Sequence, residues 1–583
     1  LHYSVGMAVP CSGAIPVIAG SHSKINRKIF QRTNEVYTAA FTPLDTHIQF
    51  YFVPMRQLMS EWDDFKLNIQ DYNSSFYNSY TNQEIIPQPA AKAPWCMMSE
   101  IKAVFLNSTF RDACGYPIKD GALRLLNLLG YGNYLSFDEI QDDVEVNLLR
   151  ACAYQKAYFD HFRNTAYESN NPIFYNMDYF RSNGYHVDDG NVLRGLFTLR
   201  YVNYRKDYFQ NLYPALTYVA SSPAGNNWLV PSWIQGSNYN NLSGSVQVPI
   251  TGDTGLSTGR YKLDDGTTPS GVLAIQGGPN YLVRNGETKQ FVHNHSMNGL
   301  GTIGANDIIA TMNPQTIRAE FALDKLLRSS AYAPKHAKDQ YEARYGIKFK
   351  YNPNESIFIG SFMNDIVINE VTNMAQTATD TSGANLGDIG GKGIGSADYG
   401  DTLDFSNMED GFIIPILYTL PRTMYSSRRI DTYNLKVDRN QFFIPEFMDM
   451  GLRPITRREY YDALWNGQPI TDPDQANDVL GYQPPYQEYK IGIDENMGLF
   501  GRPQEDSEFT KFVINSNIST YTDSYIGDGV NYQFFKVKPS DVRNIFRVSF
   551  DGSYQTDQLI AYLRTSIVVN QNMSVHGQPR LGS

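Results

Sequence analysis

A strand–proline–helix segment near the N-terminus constrains the fold more than any other part of the chain. In residues 46–53, the alternate positions Ile48, Phe50 and Phe52 are apolar, a period of two that predicts a strand with one strongly apolar face. Pro54 has no N–H to donate, so we expect it to end the ladder of hydrogen bonds. Beyond it, Leu58, Trp62 and Phe65 are spaced three or four residues apart, which predicts a short amphipathic helix.

Apolar runs elsewhere predict that strands dominate the structure. The clearest helix is predicted to begin at Asn313 as N-cap, with Pro314 at the first helical position, and to continue to about Ser330. Strands separated by insertions of tens of residues favour two packed sheets joined by long loops. The predicted strands are 46–53, 192–204, 356–363, 411–420, 508–515, 531–537, 543–550 and 559–569.

Residues 220–305 differ in composition from the rest of the chain. Gly, Asn, Ser and Asp supply the turns that short hairpins need, and they separate three candidate strands, Val246–Ile250, Val272–Ile275 and Tyr281–Val283. We therefore predict a small folded insertion between a core formed by 1–219 and 306–583. The insertion either protrudes from the surface or covers a neighbouring subunit, and the composition alone leaves both open.

Motifs that would carry catalysis or bind a cofactor fail on inspection. The run Gly387–Gly395 suggests a phosphate-binding loop, but Leu386 replaces its first glycine and Gly393 replaces its hydroxyl residue. We predict a flexible loop between subunits there. His293 and His295 have no third ligand nearby, so no metal site is predicted. Without a recognisable nucleophile, we expect neither an enzyme nor a cofactor.

The cysteine pattern favours free thiols. Cys11, Cys96, Cys114 and Cys152 are far apart, whereas a zinc site needs ligand pairs that are close in sequence. Cys152 lies on the apolar face of a predicted helix. We expect the thiols to be structural and reduced.

Seven segments match the sequence motifs of one known family and occur in the same order along the chain. They are Tyr51–Arg56 with Trp62 and Phe65, Leu149–Asn164, Arg205–Phe209 with Leu212–Pro214, Ile317–Arg318 with Tyr341–Gly346, Asp410–Ile414 with Pro421–Arg422, Phe443–Phe447, and Tyr482–Tyr489. Together they resemble the motifs of major capsid proteins of microviruses, including gokushovirus-like phages. The resemblance covers the chain from about residue 40 to residue 500. It departs from the family at Met424–Tyr425, where a Trp is usual.

This resemblance implies both a fold and a function. The implied fold is mainly β, an eight-stranded viral jelly-roll β-sandwich with large loop insertions and a few helices. The implied function is self-assembly into a T=1 icosahedral shell around a small circular single-stranded DNA genome, in virions assembled in the bacterial cytoplasm. Implied partners are further copies of the chain, a small basic DNA-packaging protein, the genome and a host receptor. Candidate residues of an outward, host-attaching insertion are Trp228, Trp233, Tyr239, Tyr261 and Tyr281.

Composition limits how the chain interacts with DNA. The net charge is −11, so the chain as a whole should be repelled by a genome, and neutralisation is expected from a separate basic protein. Direct contacts are then confined to local basic groups, whose alternative role is a solvated surface or one that is paired at an interface. The candidates are Lys24, Arg27, Lys28 and Arg32, and later Arg453, Arg457 and Arg458.

Aromatic content bears on self-association. The chain has 41 Tyr and 32 Phe, and Tyr-rich surfaces are typical of protein interfaces. We predict that long loops at 66–145 and 372–410 carry contacts between subunits. A secreted carbohydrate-binding or carbohydrate-active β-sandwich is the alternative, since it shares this composition and would need paired carboxylates in an aromatic cleft. No apolar run approaches the ~20 residues of a membrane span.

Overall fold

The computed structural model of the chain divides it into two compact units. One consists of Leu1–Ala215, His336–Lys338 and Lys348–Ser583, and the other of Leu216–Lys335 and Asp339–Ile347. The structure describes residues 1–67, 76–78, 83–85, 92–132, 136–176, 179–214, 274–275, 281–284, 287–290, 325, 333, 336–348, 354–372, 389–398, 402–448, 452–461, 471, 476–501, 508–516, 526–527, 529–546, 557–571 and 573.

Strands form most of the regular structure. In chain order the described strands are β1 (His2–Tyr3), β2 (Met7–Pro10), β3 (Ile15–Val17), β4 (His22–Thr33), β5 (Leu44–Pro54), β6 (Phe76–Asn78), β7 (Gln83–Ile85), β8 (Trp95–Met97), β9 (Glu145–Asn147), β10 (Arg200–Tyr201), β11 (Ala274–Ile275), β12 (Tyr281–Arg284), β13 (Glu287–Gln290), β14 (Ile357–Thr372), β15 (Ile389–Asp398), β16 (Leu403–Ser406), β17 (Gly411–Pro421), β18 (Tyr425–Ser426), β19 (Arg453–Thr456), β20 (Val479–Gln483), β21 (Glu495–Asn496), β22 (Ile526–Gly527), β23 (Gly529–Val530) and β24 (Leu559–Asn570).

Helices are short and lie between the strands. The described α-helices are α1 (Trp62–Leu67), α2 (Met98–Leu106), α3 (Ile118–Leu128), α4 (Leu149–His161), α5 (Pro172–Tyr175), α6 (Tyr179–Asn183), α7 (Gly190–Phe197), α8 (Ala337–Tyr345) and α9 (Arg457–Tyr460). None of them combines the length and apolar content that crossing a bilayer requires. Single turns of 3-10 helix are Met55–Gln57, Phe137–Glu139, Arg439–Gln441, Pro445–Phe447, Gln487–Tyr489, Gly498–Gly501, Glu508–Phe512, Tyr532–Phe535 and Pro539–Val542.

One large antiparallel sheet organises the first unit, and the predicted mainly-β class is confirmed at this level. Its strand order is β1-β24-β4-β15-β14-β5-β17-β2-β10, with β16 also paired to β4 and β3 to β17. Strand β14 joins two parts of the sheet, because its residues Ile357–Ile366 pair with β5 and Val367–Thr372 pair with β15. Strand β14 therefore belongs both to the half of the sheet that contains β5 and to the half that contains β15.

The two halves of the sheet pack against each other around a buried interior. The ring of Phe52 on β5 lies 5.1 Å from that of Phe405 on β16. Polar contacts also cross the interior: the Asn364 amide donates to Gln31 Oε1 at 3.2 Å, and the hydroxyls of Tyr3 and Thr419 are 2.8 Å apart. This face-to-face arrangement is consistent with a β-sandwich.

Long strands were predicted well from their apolar pattern. The predicted strand 46–53 lies within β5, which ends at Pro54 as expected and is followed by helix α1. Runs 356–363, 411–420 and 559–569 are confirmed within β14, β17 and β24, apart from residue 356 at the edge of the first. These strands bury at least one face, so the pattern of apolar residues follows directly from the period of the strand.

Several shorter apolar runs are not continuous strands, and their prediction as such is wrong. In run 192–204, residues 192–197 belong to α7, which starts where the Asp189 carboxylate accepts a hydrogen bond from the backbone N–H of Asn191, and Arg200–Tyr201 form the short strand β10. Runs 508–515 and 531–537 contain 3-10 turns, and 543–546 contains no strand. Short apolar runs cannot be assigned by periodicity alone, because a buried helix gives the same pattern.

The two segments predicted to be long loops contain regular structure instead. Helices α2 and α3 lie within 66–145 and bury their apolar faces, and β15 and β16 lie within 372–410. The predicted flexible loop at 387–395 is wrong from Ile389 onward, because β15 begins there. Its glycines are needed for packing: a Cβ on Gly393 would lie 2.5 Å from Thr33 Cγ2, and one on Gly395 would lie 2.7 Å from Asn364 Nδ2. The predicted helix at 313–330 falls outside the described residues, except Lys325.

The second unit contains a small antiparallel sheet of order β11-β12-β13. The predicted strand Tyr281–Val283 is confirmed within β12, and Val272–Ile275 overlaps β11. The candidate strand Val246–Ile250 and the residues Trp228, Trp233, Tyr239 and Tyr261 fall outside the described residues, whereas Tyr281 begins β12.

All four cysteines are free in the first unit. Cys152 lies on α4 and is fully buried, as is Cys96 on β8. Burial, with a smaller contribution from the nearby Glu100 carboxylate, raises the pKa of the Cys96 thiol to about 12. These two thiols pack as small apolar side chains.

Candidate nucleic-acid interface

Strand β4 places three of the predicted basic residues on one exposed face. Its side chains alternate between buried and exposed along nearly the whole strand. Lys24, Lys28 and Arg32 are separated by four residues each, so the period of two keeps them on the same side as Phe30. The ring of Phe30 is 45% exposed.

The neighbouring strand β24 extends this face. It pairs with β4 without a bulge, which sets Arg564 opposite Lys28 and Tyr562 opposite Phe30. Tyr562 is 64% exposed and Arg564 is also exposed. Two aromatic rings therefore lie side by side between rows of basic side chains. We call the exposed residues Lys24, Lys28, Phe30, Arg32, Tyr562 and Arg564, together with Lys392 on β15, the basic–aromatic face.

Positive charge exceeds negative charge on the basic–aromatic face. Asp398 and Asp404 are the acidic residues opposite β4, in register with Lys28 and Lys24. Asp404 also lies 3.8 Å from His22 Nε2. Arg564 directly opposite Lys28 is a cross-strand pair of like charges, which is unfavourable in isolation and becomes favourable when an anion binds between them.

The basic and aromatic side chains of this face could bind a flexible polyanion that also contains aromatic rings. Phosphates of a single strand contact Lys and Arg, while its bases stack on exposed aromatic side chains. Each stacked base contributes about 1–3 kcal/mol, and every base offers a ring face, so binding of this kind has little sequence preference. Single-stranded nucleic acid is therefore the ligand class that the face fits best.

Arg27 does not belong to this face, although the sequence grouped it with its neighbours. Its odd position on β4 directs it into the sheet interior, where it is fully buried. Its Nη1 donates to the Thr565 hydroxyl, and its Nη2 lies 3.1 Å from Cys11 Sγ. A buried guanidinium with these contacts holds strands together and is not available to DNA in this subunit.

The later basic group is mostly paired within the fold. Arg453 donates to Glu459 at 2.6 Å and to the Tyr208 hydroxyl at 2.9 Å. Burial lowers the pKa of Arg453, but the Glu459 carboxylate outweighs it and the net shift is upward. Arg457 is buried with Asp478 at 4.0 Å, and Arg458 is half-buried. Arg453 and Arg457 are therefore paired within the subunit, which is neither the DNA-facing role nor the solvated or interface-paired role considered from the sequence.

Sequence reasoning missed four of the seven residues of the basic–aromatic face. Phe30, Tyr562, Arg564 and Lys392 were not singled out, although the alternation in β4 and β24 marks the first three as lying on one side of a strand. Their proximity depends on the pairing of β24 with β4, which joins residues more than 500 positions apart. Nothing local in the sequence specifies that pairing. His293 and His295 fall outside the described residues.

The segments that carry the family resemblance contact one another in the core. Tyr51 stacks on His161 with ring centroids 4.4 Å apart, and it meets the edge of Phe162 at 5.7 Å. Phe209 packs against Tyr425 at 5.1 Å, and Tyr425 donates to Asp207 at 2.8 Å. These motif residues therefore contribute to two buried clusters, and Tyr425 lies in the second of them, with Phe209.

Comparison with known proteins adds no further constraint. No protein-family model matches the chain, and no curated protein is significantly similar to it. Function must be inferred from the residues and from their arrangement.

Proposed function

We propose that the chain is a major capsid protein of a small single-stranded DNA phage of the microvirus type. In this proposal, copies assemble into a T=1 icosahedral shell around a circular genome. The observation that supports it most is the ordered series of motif segments. Several of them pack together in pairs: Tyr51, which belongs to one buried cluster, against His161, and Phe209 against Tyr425 in a second buried cluster. An enzyme would have no physical reason to carry this set of segments in this order.

The proposed core fold is an eight-stranded viral jelly roll. Supporting features are a large antiparallel sheet whose halves pack face to face, and connections between strands that run to tens of residues. The largest connection holds the insertion 220–305. We propose that this insertion projects outward and contacts a host receptor through its aromatic residues.

Self-assembly is favoured by apolar side chains that the isolated subunit leaves in water. Among the described residues, Phe41 is 64% exposed, Phe110 58%, Val437 84% and Met408 93%. Burying such side chains against other copies removes apolar area from water, at roughly 25 cal/mol per Å². A closed shell repeats each contact around its symmetry axes, so individually weak contacts suffice.

Genome binding is proposed to be shared between this chain and a small basic protein. The net charge of −11 opposes close approach to DNA over most of the surface. The basic–aromatic face is a local exception within the described part of the chain, and in the proposed shell it lines the inner wall.

Electron microscopy of the purified chain tests this proposal directly. Negatively stained preparations should contain uniform hollow particles or their pentamers at high protein concentration. A protein that remains monomeric at every concentration contradicts it. Turnover of an oligosaccharide by that monomer would favour the carbohydrate-active alternative.

A further inference from the structure

Arg27 carries a positive charge that no carboxylate in the described part of the chain neutralises. Its side chain is fully buried, and its described contacts are to two hydroxyls and a thiol. The other two buried arginines of the described residues are paired. Arg124 Nη2 lies 2.9 Å from Asp557 Oδ2, and Arg457 Nη1 lies 4.0 Å from Asp478 Oδ2. Because arginine stays protonated in proteins, Arg27 cannot avoid the cost of burial by losing its charge.

The hydrogen bonds of the Arg27 guanidinium are also incomplete. Of its three nitrogens, only Nη1 donates to oxygen, namely to Thr565 Oγ1 and, at 3.5 Å, to Ser12 Oγ. Nη2 lies 3.1 Å from Cys11 Sγ, and a thiol is a weak acceptor. Nε is buried without a hydrogen-bond partner among the described residues. Since buried donors nearly always have partners, these groups point to an acceptor from outside the chain.

The hydroxyls beside Arg27 can supply a further donor. Ser12 Oγ and Thr565 Oγ1 are 3.1 Å apart, and only one of them can donate to the other. The proton of the second hydroxyl is therefore available to another acceptor. Ser12 is exposed and Thr565 is half-buried, so the two hydroxyls lie between the buried guanidinium and the surface.

The electrostatic potential around Arg27 is positive. Strands β4 and β24 set Arg27 opposite Thr565 on one face of the sheet, and the next pair on the other face is Lys28 opposite Arg564. Three positive charges are thus carried by two neighbouring pairs of residues. Such a concentration of one sign of charge attracts ions of the opposite sign.

We propose that Arg27, Ser12 and Thr565 form a binding site for a small inorganic anion such as chloride. The anion neutralises the guanidinium and accepts charge-assisted hydrogen bonds from it, together with a hydrogen bond from one of the two hydroxyls. Because Arg27 is fully buried, a monatomic anion fits this site, whereas a nucleic-acid backbone does not. The site is therefore separate from the basic–aromatic face, and it does not depend on the proposed capsid function.

Urea unfolding of the subunit in a chloride titration tests this site. Ionic strength is kept constant with sodium gluconate, whose anion is too large for a buried site. An anion that binds only the folded state lowers the unfolding equilibrium constant, by about tenfold for each tenfold rise in chloride above its dissociation constant. We expect the unsubstituted protein to show this dependence.

Replacing Arg27 separates anion binding from a purely structural role. Arg27→Met should remove the chloride dependence, so the difference in stability between this variant and the unsubstituted protein should widen as chloride increases. An arginine that only joined strands would give the same difference at every chloride concentration. Arg32→Met is the matched control, because Arg32 is exposed on the other face of the same strand. It should keep the chloride dependence.

A milder variant keeps the inference testable should Arg27→Met fail to fold. Thr565→Val preserves the shape of the side chain and removes its hydroxyl. The chloride concentration at half-maximal effect should then rise about fivefold, as expected for the loss of one hydrogen bond. The inference is overturned by a chloride response that is absent from the unsubstituted protein, retained in Arg27→Met, or unchanged in Thr565→Val.

Discussion

The charge on the basic–aromatic face should be measurable through the salt dependence of DNA binding. Lys28 and Arg32 are exposed on β4, and each is expected to contact one phosphate of a bound single strand. Each such contact contributes about 0.7 to the slope of log affinity against log salt. Replacing both, as Lys28→Gln with Arg32→Gln, should therefore reduce that slope by about 1.4.

This change in slope corresponds to an easily measured difference in affinity. Between 50 and 200 mM salt, the affinity of the unsubstituted protein should fall about sevenfold more than that of the double variant. The assay is fluorescence anisotropy of a labelled oligothymidine with disassembled subunits. The control is Lys206→Gln with Lys490→Gln, which removes the same charge from exposed positions on other parts of the surface. Its slope should match that of the unsubstituted protein.

Stacking is separable from charge on the same face. Phe30→Ala should weaken binding by about 1–3 kcal/mol without changing the salt slope, because stacking releases no counterions. Phe443→Ala removes a ring of nearly equal exposure, 47% against 45%, from a different surface and should have little effect. Equal slopes for the face variant and the control variant would refute the assignment of this face to DNA.

Three further predictions concern stability and reactivity. Asp557→Asn removes the carboxylate that accepts from buried Arg124 at 2.9 and 3.1 Å, so urea unfolding should show a loss of about 3–5 kcal/mol. Burial raises the pKa of Asp557, but hydrogen bonds from His2 and Arg124 outweigh burial and hold this pKa below its usual value. The ionised Asp557 therefore stabilises the folded state fully above about pH 4. In acid unfolding, this contribution to the free energy of unfolding should disappear as the pH falls through the lowered pKa. Gly6→Ala should destabilise the fold by about 2–5 kcal/mol in the same assay, because Gly6 has φ +84° and its new Cβ would lie 2.2 Å from a backbone carbonyl oxygen. Cys96 should react with a thiol reagent only after denaturant is added, since burial raises its pKa to about 12, and rapid labelling of the native protein would contradict this.

Long strands could be predicted from the sequence because their pattern is repeated many times. Strands β5 and β17 have ten or more residues and bury at least one face, so several apolar side chains in each of them indicate a strand. The run 192–204 has the same apolar content, but α7 forms there because Asp189 caps a helix and the helix buries Leu193, Leu196 and Phe197. Caps and tertiary contacts outweighed the local preference at that point.

Gly393 and Gly395 illustrate a different limit. Glycine-rich sequence normally indicates a loop, but here the glycines allow β15 to lie against Thr33 and Asn364, which are far away in sequence. The need for a small residue exists only once those neighbours are present. A single sequence does not contain that information.

The sequence by itself determined which faces of the long strands are apolar, where β5 ends, and which segments resemble the capsid family. These properties depend on neighbouring residues and on the fixed period of a strand. Tertiary structure alone decided that Arg27 is buried while Lys28 is exposed, and that Lys28 lies beside Arg564. Both depend on which strands become neighbours. Contacts between residues hundreds of positions apart decide this, and a local sequence pattern does not specify those contacts.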